Sequence, residues 1–194
     1  RKYKHLLTAP VEMRGQLIEL VEQEAANALA GKPSGIVIKV NSLQDKKFIR
    51  ALYQASQAGV PIKLIVRGIC CLRPGRKGLS ENITVNSVVG DYLEHSRIFY
   101  FHNEGNPLLY GGSADAMVRS FDRRIESLFL FMDKKCRQEV ITILDYNLRD
   151  NVNSYTMLED GTYKKLDPAK EKAFDSHIEF FKLSERTLRS TNLF

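Results

Sequence analysis

The chain has 194 residues, of which 43% are hydrophobic and 27% charged, so it is long and apolar enough to form one well-packed domain. Its formal net charge of +6 favours anionic partners such as nucleotides, nucleic acid or a membrane surface. The sequence lacks the roughly 18 consecutive apolar residues that a transmembrane helix requires. The three cysteines form no Cys-x-x-Cys pair, which indicates neither a disulfide framework nor a zinc site and favours a reducing, cytoplasmic compartment.

The first third of the chain predicts the order helix, strand, helix, strand. The predicted elements are a helix over 11–30 that Pro10 opens, a strand over 36–40, a helix over 45–58 capped by Asn41 or Ser42, and a strand over 61–66. A strand–helix–strand unit implies a parallel pair. Ligands of open parallel sheets bind beyond the carboxyl ends of the strands, and Arg67 follows such an end.

The rest of the chain adds further strands and two helices. The predictions are strands over 83–88, 97–101 and 108–110, a loop or short helix over 115–124, a central strand over 125–132, a helix over 133–148, a hairpin around Asp160 and Gly161, and a helix over 168–181. We therefore expect an α/β fold with a mixed, mostly parallel sheet flanked by helices. Residues 1–160 would form the domain, and 161–194 a C-terminal helical extension packed on it.

His95 and Arg97 are the first candidate site residues. They stand two positions apart at the start of a predicted strand, so their side chains would face the same side. A neutral imidazole can attack phosphorus or relay a proton, and a guanidinium can hold phosphate oxygens in its fork. Ser113 adds a hydroxyl after two glycines, where the backbone can approach a ligand. This set suggests phosphoryl chemistry; the alternative is an edge-strand histidine beside a solvated arginine.

Several arginines are expected near the same edge, and arginine holds phosphate bidentately where lysine cannot. They are Arg67, Arg97, Arg119, Arg123 and Arg124. The alternative is salt bridging with Asp115, Asp122 and Glu126. The basic loop 73–77 is either a ligand lid or a solvated loop. His102, seven residues after His95, would point to the opposite face and be structural or solvent-facing. The histidines lack metal-ligand spacing, so no metal site is predicted within the chain.

A series of segments then places the chain in a family. In order, they are 33–36 (PSGI), 55–61 (ASQAGVP), 64–70 (LIVRGIC), 79–83 (LSENI), 92–97 (YLEHSR), 113–115 (SAD) and 124–126 (RIE). Together they resemble the C-terminal catalytic domain of bacterial polyphosphate kinase, a family that shares the phospholipase D fold. The resemblance runs from about residue 7 to 150 and is poor over the last 40 residues.

The resemblance implies roles for the candidate residues. Arg67 and His95 would line the nucleotide phosphate site, with His95 as a catalytic phosphate contact or proton relay, while Arg97, Arg124 and Ser113 would bind the phosphate substrate. The phospholipase D motif His-x-Lys is here His95-x-Arg97, and its later aspartate is replaced by His102. These departures argue against lipid hydrolysis and leave phosphoryl transfer intact.

The resemblance also implies an activity. The full-length protein would be an ATP:polyphosphate phosphotransferase that reversibly transfers the γ-phosphate of ATP to polyphosphate. The covalent histidine, the adenine-stacking tyrosine and most Mg²⁺ ligands would lie in the preceding catalytic domain, so the isolated chain, which begins without Met, would be an inactive half-site. We further expect a homo-oligomeric, cytoplasmic enzyme, with membrane association as an alternative. Competing hypotheses are a polyanion-binding module without catalysis and a nucleic-acid-binding domain, although no nucleic-acid motif is present.

Overall fold

The computed structural model describes residues 3–184, 191, 193 and 194. Its strands are β1 (Leu6–Ala9), β2 (Ile36–Val40), β3 (Ile62–Val66), β4 (Ile83–Val88), β5 (Ile98–Phe101), β6 (Leu108–Gly112), β7 (Glu126–Leu130), β8 (Ser154–Met157) and β9 (Tyr163–Lys165). Its helices are α1 (Met13–Leu29), α2 (Lys46–Gln57), α3 (Val118–Asp122), α4 (Lys134–Arg149) and α5 (Ser176–Phe180), with 3₁₀ turns at Asn103–Gly105 and Pro168–Lys170.

All nine strands belong to one sheet, in the order β1-β7-β6-β5-β2-β3-β4-β8-β9. Helices α1, α2 and α3 lie on one face, and α4 and α5 cover part of the other. Every residue of β2 is buried, because this strand lies in the middle of the sheet with helices on both faces. No helix within the described ranges combines the length and the apolar character that a membrane crossing requires.

The sheet is mixed, as expected, but it is not mostly parallel. The β2–β3 and β3–β4 pairs are parallel, and the other six pairings in the described part of the chain are antiparallel. The prediction extended the first strand–helix–strand unit to the whole chain. Beyond β4, short connections give antiparallel neighbours: only six residues join β5 to β6, too few for the crossover that a parallel pair needs. The long connection through α4 joins β7 to β8, which are not neighbours in the sheet.

Three local predictions near the ends of elements are wrong. The residues before Pro10 form strand β1, whereas we expected them to open the first helix, which begins at Met13. Asp45, rather than Asn41 or Ser42, caps α2, and its carboxylate accepts a hydrogen bond from Phe48 N at 2.9 Å. Strand β7 is not central, because it lies one strand from the edge and alternates buried and exposed residues at its start.

The chain after residue 150 also differs from the expected pattern. The hairpin around Asp160 and Gly161 is present as β8–β9, but the expected helix over 168–181 is a 3₁₀ turn followed by the five-residue α5. Asp175 caps α5 and separates the two. The division at residue 160 stays a prediction; its position falls in the turn of the β8–β9 hairpin, and residues 185–190 and 192 lie outside the described residues.

Candidate functional site

The topology brings the candidate residues together at one end of the strands, the end at which the parallel strands β2 and β3 finish. We call this carboxyl-terminal end of β2 and β3 the edge of the candidate site. Arg67 follows the carboxyl end of β3, and its parallel neighbour β2 ends beside it. Strand β5 runs antiparallel to β2, with Ile98 opposite Lys39, so Arg97, the residue just before β5, lies at this same edge. Strand β6 ends and β7 begins there for the same reason, which places Ser113 and Arg124 along the edge as well.

His95 and Arg97 are in contact, although they do not lie on a strand. Residues 89–97 have no regular secondary structure, and β5 begins at Ile98. Arg97 Nη1 donates to His95 Nδ1 and to the His95 carbonyl oxygen, each at 3.0 Å. A guanidinium can only donate hydrogen bonds, so Nδ1 must be the acceptor. In this arrangement the neutral imidazole of His95 carries its proton on Nε2.

Asp115 connects Arg97 to the end of β2. Its carboxylate accepts from Arg97 Nε at 3.3 Å and from Arg97 Nη2 at 3.1 Å, a bidentate pair. The Asp115 Oδ1 atom also accepts from the backbone N–H groups of Asn41 and Ser42, at 2.6 and 3.1 Å. Asp115 is only 7% exposed. From the sequence, Asp115 was predicted as a competing salt-bridge partner and belonged to the segment 113–115; in the structure it fixes the orientation of Arg97.

Arg67 joins the same network through Asn41. Both Nε and Nη2 of Arg67 donate to Asn41 Oδ1, the first at 2.9 Å. The backbone around them is close: Gly68 N donates to the Asn41 carbonyl oxygen at 2.8 Å, and a Cβ atom at Gly68 would lie 2.8 Å from that oxygen. A continuous hydrogen-bonded path therefore runs from His95 through Arg97, Asp115 and Asn41 to Arg67.

An open cavity of about 700 Å³ adjoins this path. Its polar lining residues include Arg67, Asn41, Ser42, Asp91 and Glu94, and Ile69, Val88 and Leu93 are among its apolar ones. Tyr92 lines it as well and is largely exposed, so it is the described aromatic residue best placed to face a ligand there. A cavity with arginine on one side and apolar groups on the other suits a phosphorylated organic ligand.

Ser113 and Arg124 lie at this edge, but their polar contacts are with β7 and not with the His95 network. Ser113 Oγ accepts from the backbone N–H of Ser127 at 3.3 Å, which ties it to β7. Arg124 Nη1 is 3.7 Å from Glu126 Oε1, and its side chain is 55% exposed. Arg124 therefore remains accessible to an anion, whereas Ser113 contributes to the strand pairing.

A buried ion pair lies behind the site. Lys39 in β2 has a side chain that is 2% exposed, and its Nζ lies 3.0 Å from Glu94 Oε2. Burial lowers the pKa of Lys39, Glu94 opposes that change, and the positive charges of Arg67 and Arg97 add to the lowering. Lys39 was not among the predicted site residues, although a lysine inside the apolar run 36–40 was a usable signal.

His102 lies at the opposite end of β5 from His95. Its backbone N–H donates to the Gly35 carbonyl oxygen at 2.9 Å, and its Nδ1 accepts from Gly105 N at 3.1 Å. The two histidines are thus separated by the length of the strand, and the expected contrast of opposite faces on one strand is wrong. Within the described residues, no group of three or more His, Cys, Asp or Glu side chains is arranged to hold a metal ion.

Comparison with known proteins identifies close sequence relatives. The family model described as polyphosphate kinase C-terminal domain 2 matches residues 6–177. The chain is 50% identical over 167 residues to polyphosphate kinase from Pseudomonas aeruginosa, a match that covers 86% of this chain and 24% of the relative. It is 52% identical over 169 residues to polyphosphate kinase from a Synechocystis strain, covering 87% of this chain and 23% of the relative. The chain thus spans about a quarter of the length of these relatives.

Solved structures show the same similarity. The crystal structure of polyphosphate kinase from Porphyromonas gingivalis superposes with a TM-score of 0.91 at 38% identity, covering 98% of this chain and 29% of that protein. Nuc from Salmonella typhimurium, a phospholipase D family member, superposes with a TM-score of 0.56 at 12% identity, covering 79% of this chain and 96% of that protein. The second match shows the fold alone, and it confirms the expected phospholipase D-like architecture.

Proposed function

Because this chain belongs to the polyphosphate kinase C-terminal domain family, we propose that the full-length protein reversibly transfers the γ-phosphate of ATP to inorganic polyphosphate. This domain would supply one side of the active site. The observation that carries the proposal is the hydrogen-bonded path from His95 to Arg67 beside an open cavity. It presents an imidazole and two guanidinium groups at the sheet edge where such folds bind ligands.

The arginines are proposed to bind the phosphates through their positive charge and through guanidinium groups whose orientation is fixed. Arg67 borders the cavity, and Asn41 holds its guanidinium plane. Asp115 holds the plane of Arg97 in the same way. Donors that are fixed before the substrate arrives stabilise charge that develops during phosphoryl transfer, without reorganising in the transition state. In the proposal, Arg67 contacts nucleotide phosphates, while Arg97 and the exposed Arg124 contact transferred or polyphosphate oxygens.

His95 is proposed to donate a hydrogen bond from Nε2 to a phosphate oxygen, rather than to attack phosphorus; a proton relay would require Nδ1 to release Arg97 and to take up a proton as Nε2 gives one up. Its Nδ1 accepts from Arg97, so the free nitrogen Nε2 carries the proton in the neutral ring. A protonated nitrogen can donate to a phosphate oxygen but has no lone pair for attack. This tautomer supports the proposal that the histidine that binds phosphate covalently belongs to another part of the full-length protein.

Magnesium takes no part in the steps proposed for these residues. The described residues offer no acidic cluster that fits it, and the proposal places the Mg²⁺ ligands in other parts of the full-length protein. The proposal also includes ATP and ADP as substrates, contact with a preceding catalytic domain, a homo-oligomeric assembly and a cytoplasmic location with the membrane surface as the alternative. These parts rest on the family and on the cysteine pattern.

The direct test uses the full-length protein that contains this domain. It is incubated with ATP, Mg²⁺ and a polyphosphate primer, and chain growth is followed by gel electrophoresis. The reverse reaction is followed as ATP produced from ADP and polyphosphate. Activity in both directions is expected, and it should depend on Arg67 and His95. Absence of both reactions in folded, metal-supplied protein would overturn the proposal.

A second candidate function is polyanion binding without catalysis. The exposed residues Arg119, Arg123 and Arg124 favour it. They form a basic stretch that could bind anions without the hydrogen-bonded path from His95 to Arg67. Competition between short polyphosphate and duplex DNA, measured at one fixed ionic strength, separates the two ligand classes. Preference for polyphosphate in an inactive full-length protein would support this candidate, and equal competition would favour general nucleic-acid binding.

A further inference from the structure

The segment that carries His95 is held from behind by one inward-facing carboxylate. Residues 89–97 have no regular secondary structure, yet the first six of them, 89–94, form a wall of the cavity beside Arg67, and His95 follows directly. Leu93 is 71% exposed and His95 is exposed, whereas the side chain of Glu94 between them is only 13% exposed. Glu94 therefore attaches the middle of this segment to the body of the domain, between the Val89–Asn153 backbone hydrogen bond and the Arg97–Asp115 pair at its two ends.

Each of the two carboxylate oxygens of Glu94 has its own partner. Its Oε2 lies 3.0 Å from Nζ of the buried Lys39 in β2. Its Oε1 lies 2.9 Å from Nε2 of His177 in α5, which is also buried. One carboxylate thus connects the middle strand of the sheet to a helix more than 130 residues later in the chain.

His177 contacts the same segment at two more points. Its Nδ1 accepts from the backbone N–H of Tyr92 at 3.4 Å, which assigns the proton on Nε2 and makes Nε2 the donor to Glu94. The rings of Tyr92 and His177 meet edge to face with centroids 5.4 Å apart. A Cβ atom at Gly90 would lie 2.7 Å from His177 Nδ1, so the imidazole occupies space that only glycine leaves there.

The helix that carries His177 is itself anchored. Asp150, at the end of α4, accepts from both the backbone N–H and the hydroxyl of Ser176 through Oδ2, each at 2.8 Å. Its other oxygen accepts from the backbone N–H groups of Val152 and Asn153. Asp150 therefore fixes the position of α5. Through the contacts of His177, α5 in turn fixes residues 90–94.

We propose that Glu94 and His177 are positioning residues, and that α5 thereby sets where His95 stands relative to Arg67. The expected effect on turnover rests on the proposed function. The anchoring of residues 90–94 by His177 and Glu94 does not depend on it. Neither side chain needs to touch a substrate. Their removal would leave the guanidinium groups of Arg67 and Arg97 held by Asn41 and Asp115, while His95, then held only by its contacts with Arg97, samples several positions.

The kinetic test replaces His177 by Phe in the full-length protein. Phenylalanine keeps the ring but loses both hydrogen bonds, so kcat should fall about 10-fold or more because the reacting geometry is lost, with KM for ATP changed less. His177→Gln should recover much of kcat, since its amide can donate to Glu94. Lys182→Gln is the matched control, because it breaks only the surface pair with Glu179 on the same chain segment.

The structural test follows amide hydrogen exchange in the same variants. His177→Phe should speed exchange across residues 89–97 and leave β2 and β3 protected, whereas Lys182→Gln should change neither. Unchanged exchange in the segment would overturn the anchoring, whatever the activity. Faster exchange with wild-type kcat would overturn the positioning role. If wild-type protein shows no phosphoryl transfer, the proposed function fails, and the exchange data still decide whether α5 holds the segment.

Discussion

Arg67 donates two hydrogen bonds from its guanidinium to a single oxygen, Asn41 Oδ1. Lysine would keep the charge but lose the planar fork that this contact fixes. We expect Arg67→Lys in the full-length protein to lower kcat/KM by roughly 10²–10³, the usual effect of losing one preorganised donor. The thermal midpoint should change little. Arg50→Lys, on the exposed face of α2, is the control; near-normal kcat/KM for Arg67→Lys would show that Arg67 is only a solvated strand end.

His95 and His102 give a second comparison. His95→Gln should lower polyphosphate synthesis by about 10²–10⁴, the usual contribution of a positioned acid–base group, because glutamine can donate a hydrogen bond but cannot release a proton. His102→Gln should be mild, since His102 lies at the far end of β5. Initial rates of synthesis measure both. Equal losses at the two positions would contradict the assignment of the site to the Arg67 edge.

Glu24 is a buried carboxylate far from the proposed chemistry. Its two oxygens accept from the backbone N–H groups of Gly35 and Asn103, at 2.8 and 2.6 Å, and fix α1 to the opposite end of the sheet. Burial raises the pKa of Glu24 above its ordinary value of 4.5, and these hydrogen bonds only partly oppose the increase. The folded chain therefore holds this proton at pH values where the unfolded chain has released it.

This pKa gives stability a defined pH dependence. Because the folded state binds more protons at Glu24, its contribution to the free energy of unfolding falls as pH rises from about 4.5 through the raised pKa. Glu24→Gln has no proton to lose, so its stability relative to wild type should improve between pH 4 and pH 7. Urea unfolding across this range measures the difference. A relative loss for the glutamine variant with rising pH would mean that the hydrogen bonds outweigh burial.

The site residues differ in how much of their role a sequence can show. The contact between His95 and Arg97 is local, since they are two positions apart, and it was predicted. The roles of Asp115 and Asn41 depend on β6 and β2 ending at the same edge, which follows only from strand order. Lys39 offered a signal of its own, but its partner Glu94 becomes apparent only when the segment before β5 is seen to turn inward.

At the scale of elements, the β6–β7 pair leaves no room for a side chain at Gly112. A Cβ atom there would overlap the backbone carbonyl oxygen of Ser127. Gly112→Ala should therefore destabilise the chain by about 1–3 kcal/mol, the usual cost of overpacking. Gly15 is the matched control: it lies in α1 with nothing within 4 Å of an added Cβ, so Gly15→Ala should stabilise by roughly 0.5–1 kcal/mol. Urea unfolding of both variants tests the pair, and equal effects would contradict it.

Predictability also varied among elements for physical reasons. The bounds of β2 and β4 were predicted because turn or polar residues flank short β-rich runs. Strand β1 was missed because four residues beside a proline carry too short a pattern, and its partner β7 is 120 residues away. The run 125–132 was judged central from its apolar composition, although Ile125 and Phe129 are exposed at this side of the sheet. Composition alone does not show which strands a helix covers.

At the scale of the whole molecule, the chain should be an incomplete catalyst. Its His95 is exposed and carries its free proton on Nε2, and the nucleophilic histidine is proposed to lie elsewhere. Incubated with radiolabelled ATP and Mg²⁺, the isolated chain should retain no acid-labile label and form no polyphosphate. Full-length protein serves as the positive control. Acid-labile label on this chain would make His95 the nucleophile and contradict the half-site interpretation.

The two outer strands of the sheet have a consequence for how copies of this domain behave at high concentration. An open sheet exposes unpaired backbone groups at both edges, and these can template pairing with another chain. Here β9 has only three residues, all exposed, and two of them are Lys164 and Lys165; β1 has four and is followed by Pro10. Short, lysine-bearing or proline-terminated edges oppose edge-to-edge stacking. Within the described residues, both outer strands of the sheet therefore carry features that oppose pairing between copies of the domain.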